Sequence, residues 1–242
     1  MNKLGPYELN HIYTGDAREL VEYIPDNSVD LVLTDPPFGI DFEYSNGYED
    51  NREGYEELLR WVISESNRVL KPGSLAFVFQ AMGRLRETWQ WFPDNSRIFA
   101  SAKNFTQLGR EQVTHAFEPV VFWQKPGGVI WRKMIRDFHI ANTANTHNKG
   151  LQEGANKIHS CPRHIETILH LVNEACPPSG LVVDFFMGSG TTAVGAKVSG
   201  RDYWGCEIVP ETAEAARQRV LMTQSPLFTP ESIQYNLLEE AR

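Results

Sequence analysis

The sequence predicts an α/β fold on a mainly parallel sheet with an antiparallel edge. Three observations predict it. Short apolar runs alternate with segments of helical period over residues 11–80 and again over 163–222. Strand, helix, strand recurrence of this kind implies right-handed crossovers and therefore parallel neighbours. Two of the apolar runs end in chemically distinctive loops, Thr34-Asp35-Pro36-Pro37-Phe38-Gly39 and Asp184-Phe185-Phe186-Met187-Gly188-Ser189-Gly190. In an open α/β sheet, ligands bind at the carboxyl ends of the strands, where such loops lie.

The elements follow in order. His11–Thr14 reads as a short strand ended by Gly15-Asp16, and a short helix covers Ala17–Tyr23. Pro25-Asp26-Asn27 turns the chain into the strand Leu31–Thr34. Residues 40–53 are polar, aromatic and acidic, and read as a long loop of the functional kind. Leu58, Leu59, Val62, Ile63 and Val69 mark a helix from about Tyr55 to Leu70, which Lys71-Pro72-Gly73 stops. Ser74–Gln80 is the next strand. Between about 81 and 160 the pattern loosens. Arg97–Ser101 and Glu118–Trp123 read as strands of the antiparallel edge, and residues 141–156 as irregular. From Arg163 regularity returns. A helix ends near Cys176-Pro177-Pro178, Leu181–Phe185 is a strand, Thr191–Ser199 a helix and Tyr203–Glu207 a strand. A last helix, Pro210–Met222, carries Pro in its first turn.

At 242 residues, 41% of them hydrophobic and 22% charged, the chain has the composition of a soluble single domain with a real core. No apolar run reaches the length of a membrane span, and the first residues are no signal peptide. Cys161, Cys176 and Cys206 form no metal-type pair, so no metal site is expected, and their odd number fits a reducing cytoplasm. The net charge of −8 argues against a simple nucleic-acid binder. The distribution changes that picture. Residues 81–170 hold 12 Lys and Arg against 7 Asp and Glu, whereas residues 1–80 hold 6 against 15. A basic patch inside an acidic chain can still engage phosphate.

The first loop places the carboxylate of Asp35 at a strand end, stiffened by Pro36 and Pro37, with the ring of Phe38 beside it. An acceptor next to a flat ring suits a planar group bearing an amine, such as a nucleobase. The second loop is strand, Gly-rich turn, helix. Gly188 and Gly190 allow a tight turn and close approach to a ligand, and the following helix start offers unpaired N–H groups. Glu207 ends the next strand, where an acid can accept both hydroxyls of a ribose. Gly188-x-Gly190-x-x-Ala193 also matches a relaxed dinucleotide fingerprint, so this segment alone leaves a nicotinamide cofactor and S-adenosylmethionine open.

Together the two loops resemble those of the amino-group DNA methyltransferases, the adenine-N6 and cytosine-N4 family. Asp35-Pro36-Pro37-Phe38 is similar to that family's catalytic loop, and Asp184 through Thr192 to its cofactor loop. Gly15-Asp16, Arg68–Gly73 and Arg201–Ile208 resemble further family segments. The catalytic loop comes first and the cofactor loop late, as in the circularly permuted β group. The resemblance implies a Rossmann-like S-adenosylmethionine-dependent methyltransferase fold, one catalytic domain over 1–242, and an inserted target-recognition segment at about 124–160.

It also implies roles. Asp35, Pro36, Pro37 and Phe38 would be catalytic. Asp16, Asp184, Phe186, Gly188, Ser189, Gly190, Thr191, Thr192, Glu207 and Arg163 would bind the cofactor. Arg163-His164 stands where the family often has Lys-Pro, so Arg163 would hold the cofactor carboxylate, and Phe185 replaces the family's usual Pro. Asp16 is expected to end the strand beside the catalytic one. Arg132, Lys133, Arg136, Lys149 and Lys157 are the expected DNA contacts, and Tyr44 and Tyr48 lie in a loop expected to close over a flipped base. Asp at position 35 favours adenine-N6, since cytosine-N4 members more often carry Ser there. The implied partner is double-stranded DNA. The small basic segment suggests a homodimer sharing the DNA contacts, and the family brings a cognate restriction nuclease into view. The implied setting is the cytoplasm, for a bacterial or phage-encoded protein. The rival expectations are a cytosine-N4 enzyme, a catalytically silent DNA-binding subunit, an RNA or protein methyltransferase, and a nicotinamide oxidoreductase that would leave the Pro-Pro loop unexplained.

Overall fold

Among the described residues eight strands form the main sheet, most of them on short apolar runs too brief for a helix. The computed structural model describes residues 3–43, 49–103, 116–128, 134–141 and 163–223. The sheet strands are β1 (His11–Thr14), β2 (Val29–Thr34), β3 (Leu70–Phe79), β4 (Arg97–Lys103), β5 (Phe117–Gln124), β6 (Phe138–Ala141), β7 (Leu181–Asp184) and β8 (Asp202–Glu207). Their spatial order is β6-β4-β5-β3-β2-β7-β8-β1. All neighbouring pairs are parallel except those made by β5, which runs antiparallel to β4 and β3. The antiparallel member thus lies third from the margin, and beyond it β4 and β6 resume the parallel direction.

The five main helices are α1 (Ala17–Val21), α2 (Tyr55–Val69), α3 (Ile165–Ala175), α4 (Thr191–Val198) and α5 (Pro210–Met222). Both faces of the central strands are covered, so all six residues of β2 are buried. Val29 and Val32 join the core on the α1 and α2 side. Leu31 and Leu33 join the core on the α3, α4 and α5 side. Leu31, Val32 and Leu33 thus alternate as in a strand buried on both faces, and the register shift between Val29 and Leu31 puts Val29 on the same side as Val32. α2 begins at Gly54, in the left-handed region at φ 79°, and turns its buried stripe of Leu59, Val62, Ile63 and Val69 onto the sheet.

Three differences from the sequence expectations have physical causes. Residues 138–141 were not expected to form a strand, because Phe138 and Ile140 alternate with only one buried neighbour, Ala141. Lys71-Pro72-Gly73 does not separate helix from strand. It is absorbed into β3 as an irregularity between the Val29–Leu70 and Leu31–Leu75 pairs. Strand β1 does not adjoin β2: it lies at the far margin beside β8, so Asp16 is a neighbour of Glu207 rather than of Asp35. Sequence proximity to β2 gave the wrong neighbour because β7 and β8, from the other end of the chain, pair between them. The loop at 40–53 contains a two-strand ladder of 42–43 with 49–50. Tyr44, Tyr48, Arg132, Lys133, Lys149 and Lys157 fall outside the described residues.

Candidate active site

The carboxyl ends of β2, β7, β8 and β1 open onto one cavity of about 650 Å³. Both distinctive loops line it, Thr34, Asp35, Pro37 and Phe38 from one side and Asp184 through Ser189 from the other, with Thr191 and Thr192. Asp16, Glu207 and Arg163 line it too. Pro36 is buried, and Gly190 supports the cavity from behind as the residue before α4. Arg136 is exposed.

A shared hydroxyl fixes the two loops to each other. Thr34 Oγ1 donates to Asp184 Oδ1 at 2.8 Å and accepts from the Phe185 N–H at 3.1 Å. Asp184 is only 3% exposed and also accepts from the Phe186 N–H at 3.0 Å. Burial pushes its carboxyl up to about 6, although Thr192, Phe186 and Thr34 donate to it and act the other way. Its carboxylate is therefore committed to holding the loops together.

The Asp35 loop has a second holder. Asp50, only 2% exposed, accepts the Gly39 N–H at 2.6 Å and the Phe38 N–H at 2.9 Å. Burial raises its carboxyl, and the Gly39, Phe38 and Ile40 N–H groups oppose that. Gly39 has φ 62°, and a Cβ there would lie 2.7 Å from the Tyr55 side chain, so a side chain is excluded twice. Tyr55 is itself pinned, its hydroxyl donating to Gln80 Oε1 at 2.9 Å. Asp50 was missed in the sequence. The 40–53 loop was marked by its length, but nothing in its composition separates Asp50 from the other acids there.

The loop after β7 is built around glycines in the left-handed region, Gly188 at φ 49° and Gly190 at φ 78°. Glu207 reaches it: Oε2 accepts the Gly188 N–H at 2.9 Å, and Oε1 the Val209 N–H at 3.0 Å. The Ile208 N–H also bonds this carboxylate, which keeps acceptor capacity for a ligand hydroxyl. Burial raises the Glu207 carboxyl against the pull of those N–H groups. From α5 the buried Arg219 donates to the Ser189 carbonyl at 2.6 Å and to Thr191 Oγ1 at 3.1 Å. Burial brings its guanidinium down to about 10. Arg219 also escaped sequence reasoning, though a signal existed: it continues the buried stripe of Ala213 and Ala216. Asp16 Oδ1 accepts the Arg18 N–H at 2.9 Å and so caps α1 while facing the cavity.

Arg163 is placed differently from its expectation. Its Nε donates to Asp35 Oδ2 at 2.6 Å and its Nη2 to Asp35 Oδ1 at 2.8 Å. Its Nη1 lies 3.0 Å from Glu118 Oε2. The guanidinium carbon stands 5.3 Å from the centre of the Phe38 ring and 4.8 Å from that of Phe79. It is thus engaged by two carboxylates of this chain rather than left open for a cofactor's. Glu118, the third residue that sequence reasoning missed, is also held by Lys103 at 3.1 Å. Burial alone would raise its carboxyl, but Arg163 and Lys103 together keep it below the ordinary value.

Comparison with known proteins is consistent with this geometry. A model of the N6/N4-type DNA methylases matches residues 29–218. The type II methyltransferase M.BglII of Bacillus subtilis is 26% identical over 260 residues, spanning 87% of this chain and 68% of its own length. Among solved structures, the PvuII DNA methyltransferase, described as cytosine-N4-specific, superposes with a TM-score of 0.67 at 19% identity, covering 99% of this chain and 98% of that one. The M1.HpyAVI–SAM complex superposes with a TM-score of 0.62 at 19% identity, covering 87% of this chain and 98% of that one.

Proposed function

This chain belongs to the N6/N4-type DNA methylase family, and on that premise we propose that it methylates the exocyclic N6 amine of a flipped adenine in double-stranded DNA. It is an S-adenosylmethionine-dependent DNA methyltransferase acting on an amino group of a base. The observation that carries the proposal is that Asp35 and Phe38 line the same cavity as Gly188 and Glu207.

The residues present fit the cofactor. Glu207 keeps lone pairs for ribose hydroxyls, and the Gly188-Ser189-Gly190 backbone leaves room for close approach. When bound, S-adenosylmethionine supplies an electrophilic methyl group on a sulfonium. The chain supplies the rest. The amine of adenine is a weak nucleophile because its lone pair is delocalised into the ring, and inside a duplex it is out of reach. Extruding the base costs a few kcal/mol. Phe38 stacks on the flipped base and offsets part of this, since such stacking contributes about 1–3 kcal/mol. Asp35 and the Pro36 carbonyl accept the two amine hydrogens, which draws the nitrogen toward tetrahedral geometry and aims its lone pair. Asp35 also stabilises the positive charge that develops on nitrogen. The remainder is positioning.

Asp at position 35 supports adenine over cytosine, on the family tendency described above. The stretch of about 124–160, part of which is strand β6 of the sheet, is the expected source of target recognition, with Arg132, Lys133, Arg136, Lys149 and Lys157 as its phosphate-binding residues. The small size of that segment supports a homodimer. The relationship to type II methyltransferases supports a restriction-modification setting with a cognate nuclease.

The test is transfer of labelled methyl groups to unmethylated duplex DNA, with mass spectrometry of the product nucleosides. N6-methyladenine is expected. N4-methylcytosine would keep the mechanism and overturn the choice of base. Cofactor binding without transfer to any duplex would favour a silent subunit.

A further inference from the structure

We propose that Arg163 and Glu118 are positioning residues for base entry: Arg163 fills the target-base seat in the unliganded chain, and Glu118 is the acceptor onto which it is released. The proposal rests on the methyltransferase reading above. It concerns what stands on Asp35 before a base arrives.

The Arg163 guanidinium occupies the carboxylate that the amine of a flipped base has to reach. It is planar, lies beside the Phe38 ring, and presents two N–H donors to the two oxygens of Asp35 at 2.6 and 2.8 Å. A fork of this kind on a carboxylate is the strongest ordinary pairing open to Asp35. A purine stacked on Phe38 with an amine hydrogen on Asp35 needs the same volume and the same carboxylate. The two occupants exclude one another.

The exit is already built. Arg163 Nη1 is 3.0 Å from Glu118, and its guanidinium carbon is 4.8 Å from the Phe79 ring. Glu118 stands at this end of the sheet because β5 is the antiparallel strand, so its first residues, not its last, reach the rim. Lys103 holds Glu118 in place from β4. A short swing leaves the guanidinium on Glu118 and Phe79, its charge still paired, and clears Asp35. Without Glu118 the same swing would strand a cation in a largely closed site, which is costly.

The fraction of molecules with a free seat then scales the apparent affinity for DNA. Kinetics at saturating S-adenosylmethionine on amplified, unmethylated mixed-sequence duplex DNA test this. Glu118→Gln is expected to lower kcat/KM for DNA roughly tenfold, with cofactor affinity by calorimetry unchanged. Arg163→Gln is expected to lower KM for DNA, and the Glu118→Gln loss is expected to vanish in that background. Should Arg163→Gln not fold, Arg163→Lys keeps the charge, loses the fork, and is expected to shift KM in the same direction.

The idea is overturned if Glu118→Gln costs the same in both backgrounds. It is also overturned if removing the Arg163 fork lowers kcat with KM for DNA intact, or weakens cofactor binding. Side-chain nitrogen NMR of Arg163 needs no turnover. Its Nε–H signal should be protected in the free protein and altered by DNA with S-adenosylhomocysteine, and an unchanged signal in the DNA complex would also sink the proposal. Absence of transfer by the wild type is a separate result, which counts against the methyltransferase reading itself.

Discussion

At Asp184 one carboxylate binds together two loops that the chain keeps far apart, and it does so at a cost in protonation. Its ordinary carboxyl value is 3.8 and burial raises it to about 6. Between those values the unfolded chain has released a proton that the native chain still holds, so stability falls as pH rises through that window. The shift corresponds to about 2–3 kcal/mol. Asp184→Asn is expected to flatten the slope. The stability difference between wild type and variant, from urea unfolding at about pH 4 and about pH 7, should change by that amount, and equal slopes would refute the assignment. Asp35→Ala is expected to abolish turnover while cofactor still binds by calorimetry; a variant keeping most of its rate would remove Asp35 from the chemistry. Asp50→Ala leaves the Phe38 and Gly39 N–H groups without their buried acceptor. Each such orphan costs about 1–3 kcal/mol. A lower melting temperature and a lower kcat, with cofactor affinity kept, are the expected outcome. Asp35 was legible in the sequence because two prolines and an aromatic follow it. Asp50 was not, because its importance comes from the backbone N–H groups it meets, and those are set by the fold.

Among the elements, those with strong periodicity were read closely. Helix α5 has the bounds expected of it, and α2 differs by one residue at its end. The strand Phe138–Ala141 was not read, since only one of its four residues is buried and alternation gives no signal without a covered face. The place of β1 could not be read either, because pairing partners are a property of the whole sheet. Gly190 joins two elements at once. Its φ of 78° disfavours any side chain, and a Cβ would stand 3.1 Å from Ala216 Cβ on α5. Gly190→Ala is expected to strain the loop by about 1–2 kcal/mol and to weaken cofactor binding severalfold by calorimetry. An unaltered affinity would mean that the turn tolerates a methyl and α5 gives way.

On the scale of the whole molecule, the fold class followed from alternation, and the location of the site from where the two loops fall. The basic third of the chain was visible as composition. Of its five expected DNA contacts, Arg136 belongs to the described residues and is exposed. No helix of the described residues is long and apolar enough to cross a membrane. The proposed dimer is tested by light scattering with and without DNA: a mass of two chains is expected, and one chain in both conditions would end the idea.

Strands β2 and β7 are immediate neighbours, yet Thr34 and Asp184, which join them, lie 150 residues apart in the chain. Helix α5, near the far end, rests on β1 near the beginning, with Arg217 donating to the Ile12 carbonyl at 2.8 Å. The path of the polypeptide is therefore nearly a closed ring around the site. On a ring the choice of starting point is free. A chain opened at another place would keep the same contacts in a different linear order, so sequence order records where the ring is cut, and the contacts of Thr34 and Asp184 record the arrangement.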